Sequence, residues 1–267
     1  MVKENVNVKE VLEQKAAPQE IKLKKNMDVK EMIQILQPEI KRALPSMISS
    51  ERFTRMALSS LNTTPKLAEC TQISFLSALM SAAQLGLEPN TPLGQAYLIP
   101  YMNKGKLECQ FQIGYRGLIE LVYRNGNIQS IQAQEVCEED EFNYELGLTP
   151  RLFHRPALRD RGEPYLYYAV YRMTNGGFVF EVMSVEDIRD YARKYSKSID
   201  SSYSPWNTHF DEMAKKTVIK KVLKYAPLQS EVQRSVSMDE TIKTEISVDM
   251  SEVRNEPIQE YIEEEEN

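Results

Sequence analysis

The chain has 267 residues, of which 42% are hydrophobic, and a net charge of −6. This length allows a sizeable core in one large domain or two small ones, and no apolar run approaches membrane-spanning length. The N-terminal residues have no apolar core, so nothing in them suggests secretion. The three cysteines (Cys70, Cys109 and Cys137) are odd in number and far apart, which argues against a disulfide framework or zinc site and predicts reduced thiols in the cytosol.

Apolar residues recur at helical spacing after a mixed-charge segment at residues 1–26, which we expect to be flexible. They predict helices over residues 27–44, 50–62 and 64–86. Pro38 should kink or split the first of these helices. Thr64 is placed to cap the third helix, and Gly86 occupies a position at which helices commonly end.

The apolar period then changes from helical spacing to two residues, which indicates strands. Hairpins are predicted over residues 93–114, with the tip at 103–106, and over residues 163–183. In the first hairpin Gln110 and Gln112 share one strand face. Further elements are predicted as a helix at 115–126, a strand at 127–136 and, after a capping box at Ser184 and Asp187, a helix at 185–195. This order of elements predicts an α+β fold for a core spanning residues 27–230.

The last predicted helix carries five lysines between Lys215 and Lys224, with no acid from residue 214 to residue 226. A helical wheel puts Lys216, Lys220, Lys221 and Lys224 on one side with Met213 and Thr217, and Ala214, Val218, Ile219, Val222, Leu223 and Tyr225 on the other. We therefore expect an exposed cationic strip. Lys215 points toward the apolar side, where it needs an acid, a cleft or a ligand.

Two interpretations of the cationic strip remain open. Most lysine runs are solvated helix faces, but such faces usually mix both signs of charge. A strip of one sign repels itself unless an anion binds there, and a phosphate backbone suits such a row of charges.

Aromatic residues stand just before the lysines, at Trp206, His209 and Phe210. Rings beside lysines suit single-stranded nucleic acid, because rings stack on bases while the charges follow the phosphates. For Trp206, which follows Pro205, we favour the alternative role of a buried anchor.

The segment from Glu231 to Asn267 holds twelve acidic and three basic residues, a net charge of −9. This leaves 30 of the 33 basic and 27 of the 39 acidic residues before position 231, a net charge of +3. With little apolar periodicity, residues 231–267 are predicted to be an acidic, largely disordered tail that binds a partner.

Motifs for nucleotide-driven or metal-dependent chemistry are missing from the chain. It has no phosphate-binding loop or dinucleotide fingerprint, and its two histidines, His154 and His209, exclude a histidine-rich metal site. We therefore predict no cofactor and no enzymatic activity. The alternative is a metal-dependent nuclease built from Glu135, Glu181 and a nearby lysine; a second alternative is a passive single-strand coat protein.

Several motifs in succession resemble the RecT family of phage and prophage single-strand annealing proteins. They run from about Leu67 to Ala226 and include LAECTQISFLSALMSAAQLGLEPN, LGQAYLIPY, CQFQIGYRGLIEL, EVMSVEDI and PWNTHFDEMAKKTVIKKVLKY. The resemblance implies an annealing core, in which a long helix crosses a small antiparallel sheet flanked by N-terminal helices. It also implies ATP-independent coating of single-stranded DNA, pairing with a complementary strand to give an annealed duplex, and assembly into rings or helical filaments during phage homologous recombination.

The resemblance implies partners as well. These are a phage exonuclease that exposes the strand and a host single-strand-binding protein that contacts the C-terminal tail, both in the cytoplasm of the bacterial host.

DNA contacts are expected from residues spread over most of this core. Lys215, Lys216, Lys220 and Lys221 are expected to contact phosphates, and changing the first two to alanine should abolish annealing with little change in unfolding. The other expected DNA-binding residues are Arg116, Gln110, Gln112, Lys104, Lys106, Trp206, His209 and Phe210 and, on charge alone, Arg193, Lys194 and Lys197. For Lys104 and Lys106, a plain soluble turn is an equal alternative.

Overall fold

The computed structural model describes residues 29–46, 48–124, 126–196, 199, 204–226, 237–247 and 249–256. The helices are α1 (Val29–Ile35), α2 (Gln37–Ala43), α3 (Ser50–Thr63), α4 (Gln72–Leu85), α5 (Tyr115–Arg124), α6 (Val185–Tyr195), α7 (Pro205–Thr208) and α8 (Phe210–Val222), with 3-10 turns at Pro65–Glu69 and Leu223–Tyr225. The strands are β1 (Ala96–Asn103), β2 (Lys106–Ile113), β3 (Ile128–Cys137), β4 (Glu141–Glu145), β5 (Arg151–Arg155), β6 (Pro164–Met173) and β7 (Phe178–Ser184). This mixture of helices and small antiparallel sheets confirms the predicted α+β class. No helix among these residues is long and apolar enough to cross a bilayer.

The N-terminal helices follow the sequence signals closely, with one exception. Pro38 divides the first predicted helix into α1 and α2, and Gly86 ends α4 in the left-handed conformation, with φ of 58°. Thr64 does not cap the third helix, because residues 65–69 form a 3-10 turn and α4 begins only at Gln72. The chain leaves the helical path at Thr71, whose backbone N–H donates to the Leu107 carbonyl of β2.

Helix α4 lies at the centre of the molecule and is buried on almost every side. It packs against β2 and α2, and its small buried serines allow neighbouring backbone to lie close to the helix. The Ser74 hydroxyl accepts the Cys109 N–H at 2.9 Å, and the Ser77 hydroxyl donates to the Glu245 carbonyl at 2.8 Å. The helix therefore joins the first hairpin to the C-terminal segment.

The strands form three separate antiparallel sheets. One is the predicted β1–β2 hairpin, in which Asn103 pairs with Lys106 at the tip. The second has the order β3-β6-β7, and includes the predicted second hairpin. The third, β4–β5, was not expected; the buried carboxylate of Asp140 closes it by accepting the N–H groups of Cys137 and Ala157.

The C-terminal segment packs on the core rather than extending into solvent. Thr241 forms an antiparallel bridge with Phe111 of β2, with N–H···O distances of 2.9 and 3.2 Å in the two directions. Its buried apolar side chains are Met238, Ile242, Met250 and Val253. The prediction of disorder is therefore wrong for residues 237–247 and 249–256, where a few well-spaced apolar side chains outweigh an acidic composition.

Two predicted segments cannot be compared with the structure. The remaining residues of the predicted tail, 231–236, 248 and 257–267, lie outside the described residues, as does the N-terminal segment 1–26.

Candidate nucleic-acid interface

Helix α8 crosses the β3-β6-β7 sheet and also contacts α5 and α6. Its apolar side chains pack inward, and the Tyr167 hydroxyl of β6 donates to the Asp211 carboxylate in the first turn of the helix. The predicted division into one inward and one outward face is nevertheless wrong at several positions. Lys216 and Thr217 are buried, whereas Tyr225 is 71% exposed. A helical wheel assumes one covered face, but α8 is covered by the sheet on one side and by residues 237–242 on another.

The C-terminal segment supplies two carboxylates to the lysines of α8. The Lys216 Nζ lies 3.0 Å from the Asp239 Oδ1 and 2.9 Å from the Glu240 Oε1, and the Lys220 Nζ lies 3.0 Å from the Asp239 Oδ2. The Asp239 Oδ1 also accepts the Ile113 N–H of β2 at 2.7 Å. One aspartate therefore joins the end of β2 to two successive turns of the lysine helix.

These ion pairs control the ionisation of the groups involved. Burial opposes the charge of Lys220, but the attraction of Asp239 and Glu240 outweighs it and raises the pKa of this lysine. Attraction to Lys216 lowers the pKa of Glu240 to about 2. Both shifts favour the charged forms of Lys220 and Glu240.

The sheet supplies partners for the other two lysines. The Lys215 Nζ lies 2.6 Å from the Glu135 Oε2 of β3, which confirms that this lysine needs an acid. The Lys221 Nζ lies 3.9 Å from the Glu181 Oε1 of β7. The expected open strip of cations is therefore wrong for Lys216, Lys220 and Lys221, because acids distant in sequence pair with each of them.

Three other candidate cations are open to solvent. Lys104 and Lys106 at the hairpin tip and Arg116 on α5 are exposed, and none forms an ion pair with an acid within the described part of the chain. The Arg116 Nε donates to the Tyr115 hydroxyl at 3.2 Å. A Cβ at Gly117 would collide with the Gln95 carbonyl, so glycine allows the first turn of α5 to lie against the start of β1 and present Arg116 outward.

The two glutamines of β2 differ in accessibility. Gln110 is half-buried, and its side-chain amide donates to the Glu240 carbonyl at 3.4 Å. Gln112 is buried, with its amide 3.3 Å from the Met213 sulfur. The expectation of an open polar strand face is therefore wrong at Gln112, because α8 covers it.

The aromatic candidates are mainly structural in their surroundings. Trp206 is 9% exposed and lies beside Phe210, with ring centroids 6.4 Å apart, which confirms the interpretation as a buried anchor. Phe210 is half-buried and also contacts Tyr167 edge-on, whereas His209 is exposed.

The cations predicted on charge alone do not form one group. Arg193 is exposed and paired with Asp190 at 2.7 Å, and Lys194 lies 5.5 Å from the Tyr195 ring centre. Lys197 lies outside the described residues.

A cleft between α6 and α8 was missed by the sequence analysis. Its lining includes Tyr191, Tyr195, Trp206, Lys216, Lys220 and Glu240. Two tyrosines four residues apart on α6 were a visible signal, since that spacing puts them on one helix face. The approach of Glu240 from the C-terminal segment had no local signal.

The carboxylates considered for a nuclease are engaged by lysines. Glu135 and Glu181 face Lys215 and Lys221, and Arg161 also contacts Glu135 at 3.3 Å. In the part of the chain that the structure describes, no group of three histidine, cysteine or acidic side chains is placed to hold a metal ion.

Comparison with known proteins identifies a class that fits this fold, that of single-strand annealing proteins of DNA recombination. The model of the RecT family matches residues 51–256, and the chain belongs to this family. It is 44% identical over 224 residues to Protein RecT of Escherichia coli (strain K12), covering 81% of each chain. It is also 30% identical over 198 residues to the Uncharacterized protein YqaK of Bacillus subtilis (strain 168), covering 74% of this chain and 66% of that protein. The family match extends to the end of the packed C-terminal segment, well beyond residue 230.

Proposed function

We propose that the protein coats single-stranded DNA without ATP, assembles along it and pairs it with a complementary strand. The observation that carries this proposal is the RecT family match over residues 51–256, which includes the hairpin, the sheet and the lysine helix. Annealing requires phosphates to be neutralised while base edges remain open to a second strand. Phosphate contacts suit that task because they position a strand without reading its sequence.

The distribution of charge suggests how the contacts are divided. Lys104, Lys106 and Arg116 can meet phosphates without breaking an ion pair within the described residues. On α8 the side chains of Lys220 and Lys221 are 26% and 33% exposed, and these lysines can contact DNA by exchanging a carboxylate for a phosphate. Lys216, with a side chain 3% exposed, is the least accessible of the four candidate lysines on α8.

The remaining candidates stay predicted DNA contacts, and they differ in whether DNA can reach them from solvent. Gln110, His209 and Arg193 can be reached from solvent, whereas Gln112 and Trp206 need movement of their neighbours before they can touch DNA. Lys215 needs release from Glu135.

One subunit of this kind neutralises only a few phosphates, so useful affinity depends on assembly. Linked subunits on one strand convert weak single contacts into strong binding, since each further contact is effectively intramolecular. We therefore propose a ring or helical filament of identical subunits. The proposed partners are a phage exonuclease that exposes the strand and, through the acidic residues after 256, the host single-strand-binding protein, in the cytoplasm of a bacterial cell.

The test measures the pairing of two complementary labelled oligonucleotides by fluorescence energy transfer, with no ATP present. We expect the protein to accelerate pairing and to form slowly migrating complexes. Binding should weaken steeply with salt, by about 0.7 in logarithmic slope for each phosphate neutralised on a single strand.

Three outcomes would contradict the proposal. Shortened DNA after incubation with magnesium would indicate a nuclease. Strand protection without faster pairing would indicate a passive coat protein. A flat salt response would exclude phosphate contacts as the basis of binding.

A further inference from the structure

The cleft between α6 and α8 combines two kinds of side chain that single-stranded DNA requires. One wall carries Tyr191 and Tyr195, whose ring centres are 4.6 Å apart, and Trp206 also lines the cleft. The other wall carries Lys216 and Lys220. Tyr195 is 61% exposed, so a ligand can reach this tyrosine from solvent. Aromatic faces stack on bases and lysines hold phosphates, so one cleft offers both contacts.

The two acids that meet these lysines are held very differently. The side chain of Asp239 is 0% exposed, and its two oxygens have three partners: Lys216, Lys220 and the Ile113 N–H. The side chain of Glu240 is 43% exposed, and its carboxylate contacts Lys216 at 2.9 Å and Lys220 at 3.9 Å. Asp239 is therefore a fixed part of the fold, whereas Glu240 lies where solvent and a competing anion can reach it.

The backbone of Glu240 gives a second, independent observation. Its φ of 58° lies in the left-handed region, which is unfavourable for a residue with a Cβ. Such conformations persist where the surrounding structure requires them and cluster at ligand-binding and switching sites. A glutamate is thus held in an unfavourable conformation with its carboxylate between two lysines.

We propose that this cleft is a phosphodiester subsite, in which a DNA phosphate replaces the Glu240 carboxylate beside Lys216 and Lys220 while the attached base packs on Tyr195. This inference rests on the proposed function and names one site for it. A phosphate oxygen accepts charge-assisted hydrogen bonds from ammonium groups as a carboxylate oxygen does. The phosphate also carries a nucleoside, whose base can pack on the tyrosine wall. The Glu240 side chain has no such group.

The exchange has a consequence for annealing. Asp239 stays in place and keeps part of the lysine charge neutralised, so the subsite binds a phosphate weakly. Glu240 competes for the same lysines and further lowers the affinity for each nucleotide. A strand held in this way can be released or shifted while complementarity is tested.

The first test compares two variants with the same change of charge. Glu240→Gln removes the competing carboxylate and keeps the size of the side chain, whereas Glu252→Gln removes an exposed acid from the same segment. We expect Glu240→Gln to bind a fluorescent oligothymidylate several-fold more tightly, with a salt slope steeper by about 0.7. Glu252→Gln should change neither quantity beyond the small effect of net charge. Equal behaviour of the two variants would overturn the proposal.

The second test concerns the aromatic wall and does not depend on the ion pairs. Tyr195→Ala should weaken binding several-fold, while Tyr195→Phe, which keeps the ring, should bind like the unchanged protein. Tyr165→Ala, at another exposed tyrosine on β6 (41% exposed), should have no effect. Equal affinities for Tyr195→Ala and Tyr165→Ala would overturn the assignment of the base contact.

A third measurement uses the unchanged protein and separates the two proposals. Oligonucleotides carrying 5-iododeoxyuridine should cross-link to Tyr195 or to the neighbouring Tyr191, identified by peptide mass spectrometry. Annealing with cross-links only elsewhere would overturn the subsite and leave the proposed function intact. Absence of both DNA binding and annealing would instead overturn the proposed function.

Discussion

Two groups of basic side chains meet very different surroundings in this protein. Lys216, in the dense run on α8, is 2% exposed and lies within 3.0 Å of two carboxylates. Lys104 and Lys106 at the hairpin tip and Arg116 on α5 are exposed, with no ion pair among the described residues. The denser group is therefore the less available one. A run of like charge shows where positive charge lies along the chain, but not whether a ligand can reach it.

The difference arises from acids that are distant in sequence. No acid occurs from residue 214 to residue 226, and this absence suggested a strip open to DNA. Tertiary folding brings Asp239 to Lys216 across 23 positions and brings Glu135 of strand β3 to Lys215.

The largest expected effect is the loss of stability in Lys216→Ala. The change removes one of the two lysines that pair with the buried Asp239, and breaking a buried ion pair typically costs up to about 3–5 kcal/mol in the free energy of unfolding. Urea unfolding measures this loss. Lys224→Ala, at an exposed lysine just beyond the same helix, should change the free energy of unfolding by no more than about 0.5 kcal/mol.

A double variant tests the partner in this ion pair. Lys216→Ala combined with Asp239→Ala should be less destabilised than the sum of the single changes, because neither charge is left alone. Additive losses would mean that the two residues do not interact. Changing Lys215 and Lys216 together was expected to alter unfolding little, but the buried Lys216–Asp239 pair instead predicts a loss of stability. Loss of annealing in that variant could not be assigned to phosphate contacts.

The intermediate effect is on DNA affinity. Changing Lys104, Lys106 and Arg116 together to glutamine should lower the salt slope of single-strand binding by about 2, at about 0.7 for each phosphate that is no longer neutralised. The free energy of unfolding should change by no more than about 0.5 kcal/mol, because the side chains are exposed. Fluorescence polarisation across a salt series measures the slope.

A matched triple variant provides the control for net charge. Lys30, Lys41 and Arg55 are also exposed and lie on the N-terminal helices, so changing them to glutamine removes the same charge elsewhere. If both triple variants lose the same affinity, the hairpin cations act only through the overall charge of the protein.

The smallest effect is expected at Lys221. Its 3.9 Å contact with Glu181 joins side chains that are each about one-third exposed, so Lys221→Gln should cost at most about 1 kcal/mol of stability. In 1 M salt this loss should disappear, since the screening length falls to about 3 Å. The loss at Lys216 should persist in 1 M salt; equal salt sensitivity at both sites would remove the distinction between buried and exposed lysines.

Local signals in the sequence were sufficient for much of the fold. Pro38, Gly86 and the Ser184–Asp187 capping box mark helix boundaries that the structure shows, because each acts through its own backbone or its nearest neighbours. The two longer hairpins followed from the apolar period. The β4–β5 hairpin was missed because its strands are five residues each, too short for the alternation to stand out.

The candidate site was only partly accessible to sequence reasoning. The lysines of α8 and the tyrosines of α6 can be identified from spacing, but their partners come from β3, β7 and the segment 237–242. The acidic composition of that segment predicted a solvated tail. In the structure Asp239 and Glu240 instead form ion pairs with Lys216 and Lys220 of α8.

The sequence by itself determined most of the elements, the α+β class and the family, since these depend on local propensity, apolar period and ordered motifs. Only the tertiary structure decided which charges remain available, because ionic attraction depends on distance in space and on burial, not on position along the chain. Those two quantities place Lys216 in a buried ion pair and leave Arg116 in solvent.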